Sequence, residues 1–290
     1  MNFEPERLHR RLASFNASRL APAEPSADWQ SDLHSELEKR LLEGDLIESL
    51  RRDVAPWLPP SSLDAAGFVH WFEALEQRGP GQDHPLFEWL AGEASMEQMR
   101  WFLAQEAAGE AGFEDLLALT QVKLPVRAKL ECARNYWDEM GHGKQAAMHG
   151  QMLDAMVAGL GLRPSPEATV WESLALSNTM LALACNRRYA WQSLGALGAI
   201  ELTAPGRVAQ VSAGMKRLGL DGRMRAYFDL HAALDKSHAR AWIREIVRPA
   251  VEEEPHRARH IAEGALMRLA CGRRCFDRYL AELRVTEPAL

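Results

Sequence analysis

The feature that most constrains this chain is a succession of helical patterns from Gly67 onward, without any stretch that alternates like a strand. The patterns predict helices over about residues 68–78, 84–92, 96–121, 125–140, 144–160, 166–203, 205–218, 221–247 and 252–283. Ser95 with Gln98 predicts a capping box, and Pro205 is expected to end the long alanine-rich helix that Pro166 opens. The chain is therefore expected to fold as an all-α helical bundle.

The first part of the chain differs from the rest. Residues 1–65 carry a short helical pattern that ends in the breaker Leu58, Pro59, Pro60, Ser61, Ser62. We expect this part to be an N-terminal helical extension packed on a main domain of residues 66–290. A chain of 290 residues is long enough to bury a sizeable core in a single fold.

Charge and hydropathy exclude two classes of partner. The chain has 34 Lys and Arg against 40 Asp and Glu, a net charge of −6, and no basic stripe, so nucleic acid is not expected. No segment reaches the roughly 18 apolar residues that span a membrane, and the N-terminus lacks an apolar signal region, so a cytoplasmic location is expected.

The four cysteines are irregularly spaced within helical patterns, which is typical of neither a disulfide framework nor a zinc knuckle. Reduced thiols are therefore expected. Cys271 and Cys275 lie one helical turn apart, so helix packing and a redox or metal role are both open for this pair.

The sharpest local pattern is His231, Asp235 and His238, at positions i, i+4 and i+7. On a helix this spacing places all three side chains on one face. Two imidazoles and a carboxylate are the nitrogen and oxygen donors that iron or manganese prefers. A solvent-facing polar stripe is the alternative interpretation.

Further acids extend the pattern. Glu106 and Glu110 lie one turn apart among small residues, which would let a neighbouring helix or a metal ion approach. Glu139 ends a helix ahead of two glycines, and His149 follows ten residues later, with His142 in the break as a competing donor.

Glu201 is a single acid near the end of an almost wholly apolar helix. A buried carboxylate needs a cation or a hydrogen-bond partner, whereas a surface acid at a helix end needs neither, and both interpretations are open. Ferritin-like diiron sites use two Glu-x-x-His pairs, but Glu139 with His142 is the single candidate here, which argues against that class.

Taken together, these residues resemble the haem-oxygenase-like diiron oxidases in their order and spacing. The resemblance rests on Glu106, the Asp138-Glu139 step with its glycines, His149, Glu201 and the triplet His231, Asp235 and His238. The segment HPLFEWLAGEASMEQMRWFLAQE, from His84, is similar to the opening helices of that family. The similarity runs to about residue 250 and implies a haem-oxygenase-like helical bundle.

The resemblance also implies a ligand set for two iron ions. It implies that Glu106 is the glutamate ligand of the first helix, with Glu110 as second choice. The other implied ligands are Glu139, His149, Glu201, His231, Asp235 and His238. His142 is a second choice beside His149. Candidates for holding these carboxylates or binding a substrate are Asn135, Tyr136, Asn178 and Arg187, with surface, core and capping roles as the alternatives.

The family uses O2 at two Fe2+/Fe3+ ions for N-oxygenation, desaturation or C–C cleavage of amino-acid- or fatty-acid-derived substrates, so the resemblance implies O2 and a small-molecule substrate here. Manganese in place of iron, an external electron donor and a homodimer stay open. The rival hypotheses are a cofactorless relative of thiaminase or quinone-cofactor synthase type, and a non-catalytic helical binding protein. Haem oxygenase itself is disfavoured because Glu106 stands where a proximal histidine is needed.

Overall fold

The structure, a computed structural model, describes residues 5–285. Within that range the chain forms helices and no strand, so the expected all-α class is confirmed. The helices are α1 Pro5–Leu20, α2 Trp29–Val54, α3 Ala65–Glu73, α4 Leu75–Arg78, α5 Pro85–Gly92, α6 Met96–Gly109, α7 Phe113–Thr120, α8 Val126–Glu139, α9 His149–Gly159, α10 Trp171–Cys185, α11 Ala190–Arg217, α12 Gly222–Trp242, α13 Arg248–Glu253 and α14 Arg257–Val285.

The predicted helix over 96–121 is two helices. The capping box of Ser95 and Gln98 is present at the start of α6, as predicted. The helix then ends at Gly109, and Gly112 adopts a left-handed conformation with φ of +73° before α7 begins. Glycine reaches that conformation without steric cost, so the break lies where the sequence allows it. Glu110 therefore lies in a turn and not on a helix.

The predicted helix over 166–203 is also interrupted, and its expected end at Pro205 is wrong. A tight turn, Arg187–Tyr189, separates α10 from α11. The side chain of Asn186 donates to the carbonyl of Ala182 at 2.8 Å and so satisfies the end of α10. Helix α11 then continues through Pro205 to Arg217. A proline inside a helix costs about 3 kcal/mol, which the packing of α11 on its neighbours offsets.

Helix α11 is the centre of the bundle and packs against α5, α12 and α14. Its approach to α14 depends on two glycines that face each other. A Cβ at Gly264 would collide with the carbonyl of Gln192, and one at Gly195 would collide with the carbonyl of Ile261. The two backbones can therefore lie in direct contact, which fixes α11 and the side chains it carries.

The N-terminal helices pack on the bundle. Helix α1 lies along α10, where the side-chain amide of Asn16 donates to Asn178 Oδ1 at 2.8 Å. Helix α2 contacts α14 through Arg51, whose Nε lies 2.9 Å from an oxygen of the buried Glu263. The extension is thus held by buried polar contacts as well as by apolar ones.

Among the described residues, no helix is both long enough and apolar enough to cross a membrane. All four cysteines are free, and Cys132, Cys271 and Cys275 are buried. A hydrogen-bonding distance of 3.8 Å joins Cys271 to Thr179, which places that thiol in the packed core.

A candidate metal centre at the middle of the bundle

Three ligand-type side chains converge from α8, α9 and α12. Glu139 Oε2 lies 2.7 Å from Nδ1 of His149, and the same Nδ1 lies 3.1 Å from Nε2 of His231. The ring of His231 is oriented by its other nitrogen, because Nδ1 donates to the carbonyl of Tyr227 at 2.7 Å. Nε2 therefore carries the lone pair that faces the group. The ligand atoms of this group, Glu139, His149 and His231, lie within 4.8 Å of one another.

The loop between α8 and α9 makes this convergence possible. Glu139 is the last residue of α8 and His149 the first of α9, so the chain must reverse within nine residues. Gly141 has φ of +58° and contacts the backbone of Ala147 so closely that a Cβ would collide with its carbonyl group. Only glycine fits there, so the break predicted from the glycines has a defined geometry.

A second group lies on α11 and α12. Glu201, Asp235 and His238 are all buried, and their ligand atoms also lie within 4.8 Å of one another. Glu201 Oε2 is 3.4 Å from His238 Nδ1. Asp235 and His238 lie on the same face of α12 as His231, as their spacing predicts.

Two atoms of the second group are without a hydrogen bond among the described residues, namely Asp235 Oδ1 and His238 Nδ1. A buried polar atom without a partner costs roughly 1–3 kcal/mol, so such atoms are rare in packed proteins. Both are nitrogen or oxygen donors of the kind that iron and manganese bind. The residues present therefore fit a metal ion, which would satisfy both atoms at once.

The ionisation of the acids and imidazoles in the two groups also favours a metal site. Burial, followed by repulsion from Glu201, raises the pKa of Glu139 to about 9, and the same two causes raise the pKa of Asp235 to about 9. Burial lowers the pKa of His149 and of His231 to about 4, so these two imidazoles are neutral at pH 7. Crowded acids beside neutral imidazoles favour a bound cation.

His238 has the opposite shift. Burial alone would lower its pKa, but the carboxylates of Glu201, Asp138 and Asp235 raise it to about 9. A metal ion at Nδ1 would take the place of the proton that these carboxylates favour.

Two neighbouring side chains orient the ligand-type residues. His238 Nε2 donates to Asp138 Oδ2 at 3.0 Å, which turns Nδ1 towards Glu201. The side-chain amide of Asn135, a candidate from the sequence, donates to Glu201 Oε1 at 2.5 Å. Partners of this kind fix the ring tautomer and the carboxylate orientation at metal sites.

Both groups border one cavity. Glu139 and His231 reach it from the first group, and Glu201 and Asp235 from the second. The rest of the wall is mainly apolar, with a few polar and charged residues, and comprises Gly109, Ala111, Phe113, Leu116, Ser173, Leu176, Met180, Ile200, Ala204, Val208 and Tyr227 together with Glu106, Glu110 and Arg268. Concave, mostly apolar pockets with a few convergent polar groups are typical binding sites for small molecules.

The structure brings six of the seven predicted ligands together and leaves Glu106 outside both groups. Glu106, on α6, and Glu110, in the turn after it, line the same cavity. His142, the other second choice, is 64% exposed and lies 3.0 Å from Asp138. Helix α6, which carries Glu106, packs on α9 and α10. The six residues of the two groups lie on or at the ends of α8, α9, α11 and α12. The sequence pattern does not show which of these helices pack together.

The other candidates lie away from the two groups. Asn178 bonds to Asn16 and to the backbone of His9, and therefore anchors α1. Arg187 donates to the carbonyl of Thr120 at 2.8 Å and caps the end of α7. Tyr136 packs on the hydrophobic core. Asn178 and Arg187 thus have anchoring and capping contacts, and Tyr136 has a core contact.

Sequence reasoning missed three charged residues at the site. The sequence pattern includes Asp138 only within the Asp138-Glu139 step and gives no sign that it is a partner for a histidine. Arg268 lines the cavity from α14, and Arg207 lines an adjoining cavity from α11. Both arginines lie on apolar helix faces, and this pattern could have indicated them, because arginine is rarely buried unless it is paired.

Comparison with known proteins supports the fold and the chemistry of this centre. A family model described as iron-containing redox enzyme matches residues 100–273. No curated protein matches the chain. Similar solved structures include two of a CADD-like protein of unknown function from Nostoc punctiforme. One has a TM-score of 0.61, 18% identity and coverage of 76% of this chain and 98% of that one. The other has a TM-score of 0.54, 18% identity and coverage of 86% and 99%.

A third similar structure is a domain of unknown function with a haem oxygenase-like fold from Shewanella denitrificans. It has a TM-score of 0.53 and 16% identity, and covers 78% of this chain and 95% of that one. At these identities the structures establish the fold alone, which confirms the expected haem-oxygenase-like bundle. The matched residues 100–273 contain all six residues of the two groups. The chain therefore belongs to the iron-containing redox enzyme family.

Proposed function

We propose that this protein is a non-haem diiron oxidase or oxygenase that uses O2 to oxidise a small amino-acid- or fatty-acid-derived substrate in the cytoplasm. The observation that carries the proposal is the pair of three-residue groups, each with its ligand atoms within 4.8 Å, at the wall of one cavity. Glu139, His149 and His231 would hold one ion, and Glu201, Asp235 and His238 the other.

Bound iron would supply the redox chemistry, the reduction of O2, and an external electron donor would restore the ferrous state. The protein residues have other tasks. Asn135 and Asp138 hold Glu201 and His238 in place through hydrogen bonds of 2.5 and 3.0 Å. Leu176, Ile200 and Val208 give the cavity an apolar wall that limits water near the reacting groups.

The donor set distinguishes this proposal from a cofactorless relative or a binding protein. Neither rival needs six carboxylates and imidazoles at ligand distances, five of them buried. Burial of unpaired acids without a cation is costly. Asp235 Oδ1 and His238 Nδ1 make no hydrogen bond among the described residues, which adds to this argument because a bound ion would use both.

The test is an anaerobic Fe(II) titration with iron counted per chain, followed by mixing with O2 and measurement of O2 consumption. Two irons per chain and rapid O2 uptake are expected. His238→Ala and Glu201→Ala should each lose one iron while helix content is kept. His256→Ala, an exposed histidine on the surface, is the matched control and should bind iron as the wild type does. Absence of stoichiometric iron binding would overturn the proposal.

A further inference from the structure

The cavity beside the metal groups continues into a charged compartment that the metal chemistry does not use. A second cavity adjoins the first and shares part of its wall, including Glu106, Glu110 and Arg268. Of these two cavities, only the second is lined by Arg207, Phe87 and Phe276. Residues of the two metal groups line the first cavity only, whereas Arg268 lines both cavities and Arg207 lines the second.

Arg268 is the residue that most requires a partner. Its guanidinium lines both cavities, yet among residues 5–285 it makes no hydrogen bond and no ion pair within 4 Å. A guanidinium remains charged in proteins and offers five N–H donors in a planar fork that matches a carboxylate. Burial lowers the pKa of Arg268 from its usual value.

Arg207 adds a second positive charge with weak protein contacts. Its Nη atoms lie 3.3 Å from Thr203 Oγ1 and 3.4 Å from Gln82 Oε1, and its guanidinium lies over the rings of Phe87 and Phe276. None of these partners is an anion. The two arginines thus form a positive site without a carboxylate in contact.

Two acids provide the opposite charge nearby. Glu106 and Glu110 line the same space as Arg268, but no ion pair within 4 Å joins either of them to an arginine among the described residues. Burial raises the pKa of both carboxyl groups, while the nearby charge of Arg268 opposes that rise. Basic and acidic groups that line the same cavity without an ion pair between them can both contact a ligand in that cavity.

We propose that Arg268 and Glu106 select the substrate of this centre, by binding the carboxylate and the ammonium group of a zwitterionic α-amino acid. This inference rests on the proposed function. Arg207 adds attraction for the carboxylate, and Glu110 adds attraction for the ammonium group.

The apolar part of the amino acid then lies towards the metal groups. Phe113, Leu116 and Met180 line only the cavity that also contains Glu139 and Asp235, so the wall is apolar where the reacting carbon would lie. An aliphatic side chain fits this wall. A ligand with one charge only would leave either the arginines or the glutamates without a counter-charge, which costs binding free energy in a buried site.

The test uses three probes that differ by one charged group. L-norleucine carries both groups, hexanoate lacks the amine, and pentylamine lacks the carboxylate. Binding is measured anaerobically by calorimetry, on protein with and without added Fe(II), so that turnover does not interfere. Norleucine should bind at least about tenfold more tightly than either fragment, because a charge-assisted hydrogen bond contributes about that factor or more.

Two variants assign the groups to residues. Arg268→Met should weaken norleucine and hexanoate by about tenfold or more and leave pentylamine unchanged, whereas Glu106→Gln should weaken norleucine and pentylamine and leave hexanoate unchanged or tighter. The controls are Arg273→Met, 62% exposed on the same helix, and Glu97→Gln, exposed on α6. Neither control should change any of the three affinities.

The selectivity of each loss separates recognition from misfolding, since an unfolded variant would lose all three probes. Hexanoate binding as tightly as norleucine, or an Arg268→Met variant with unchanged norleucine affinity, would overturn the inference. Iron loading and O2 uptake are measured on the same samples. Normal iron chemistry without norleucine binding refutes this inference alone, and norleucine binding without iron loading refutes the proposed function alone.

Discussion

Glu139 Oε2 lies 2.7 Å from Nδ1 of His149, although the first residue ends one helix and the second begins the next. The contact depends on a loop of nine residues that folds back on itself. Its tightest point is Gly141, in a left-handed conformation against the backbone of Ala147. The first metal group is therefore built by a turn as much as by helices.

Gly141→Ala should separate Glu139 from His149 and weaken iron binding by at least about tenfold. The left-handed conformation costs an L-residue about 1–2 kcal/mol, and the Cβ would in addition collide with Ala147. Equilibrium Fe(II) binding under anaerobic conditions measures the effect. Gly161→Ala is the control, since Gly161 has a similar φ of +59° but no atom within 4 Å of its Cβ position. Equal losses in both variants would show that conformational strain, and not the contact, is responsible.

Asp138→Ala should weaken metal binding about 10- to 100-fold, because the hydrogen bond that orients His238 is lost. His142→Ala is the matched variant, as this exposed histidine contacts the same carboxylate at 3.0 Å. It should leave iron stoichiometry unchanged. A loss of iron in His142→Ala would return His142 to the ligand set in place of one of the buried histidines.

Gly264→Ala should lower the free energy of unfolding by about 1–3 kcal/mol, since α11 and α14 must move apart to accommodate the methyl group. Urea unfolding followed by circular dichroism measures this change. Gly44→Ala in α2 has no atom within 4 Å of the new Cβ and should be neutral or slightly stabilising. Unchanged stability in Gly264→Ala would contradict the close backbone contact.

Acid should release α1 through His9. Burial, with the positive charge of Arg274, lowers the pKa of His9 to about 4, so the folded protein favours the neutral ring that stacks on Trp171 at 5.5 Å. Because the unfolded pKa is about 6.5, this contribution is complete above pH 6.5 and falls as the pH drops towards 4. The loss reaches about 3 kcal/mol.

Hydrogen exchange of the α1 amides between pH 7 and pH 4, corrected for intrinsic rates, measures this release. His9→Phe keeps an aromatic ring against Trp171 but cannot gain a proton, so α1 should stay equally protected across the range. Identical pH profiles for the two proteins would assign the acid sensitivity to another group.

Much of the fold follows from local pattern. The capping box of Ser95 and Gln98 and the absence of strands among the described residues agree with the sequence prediction. The errors lie where packing decides the outcome. Pro205 does not end α11, and the predicted helix over 96–121 breaks at Gly109, where a Cβ would collide with the hydroxyl of Ser173 on α10. Neither result is contained in the local sequence.

The sequence by itself determined the relation among His231, Asp235 and His238, because their spacing on one helix depends only on helical geometry. It also determined the family, through the order of its acids and histidines. Only the tertiary structure decided that Glu139, His149 and Glu201 meet this face and that Glu106 lies instead beside Arg268. The distance between helix backbones, as at Gly195 and Gly264, decides which residues of different helices are in contact. The periodicity of side chains along one helix does not predict that distance.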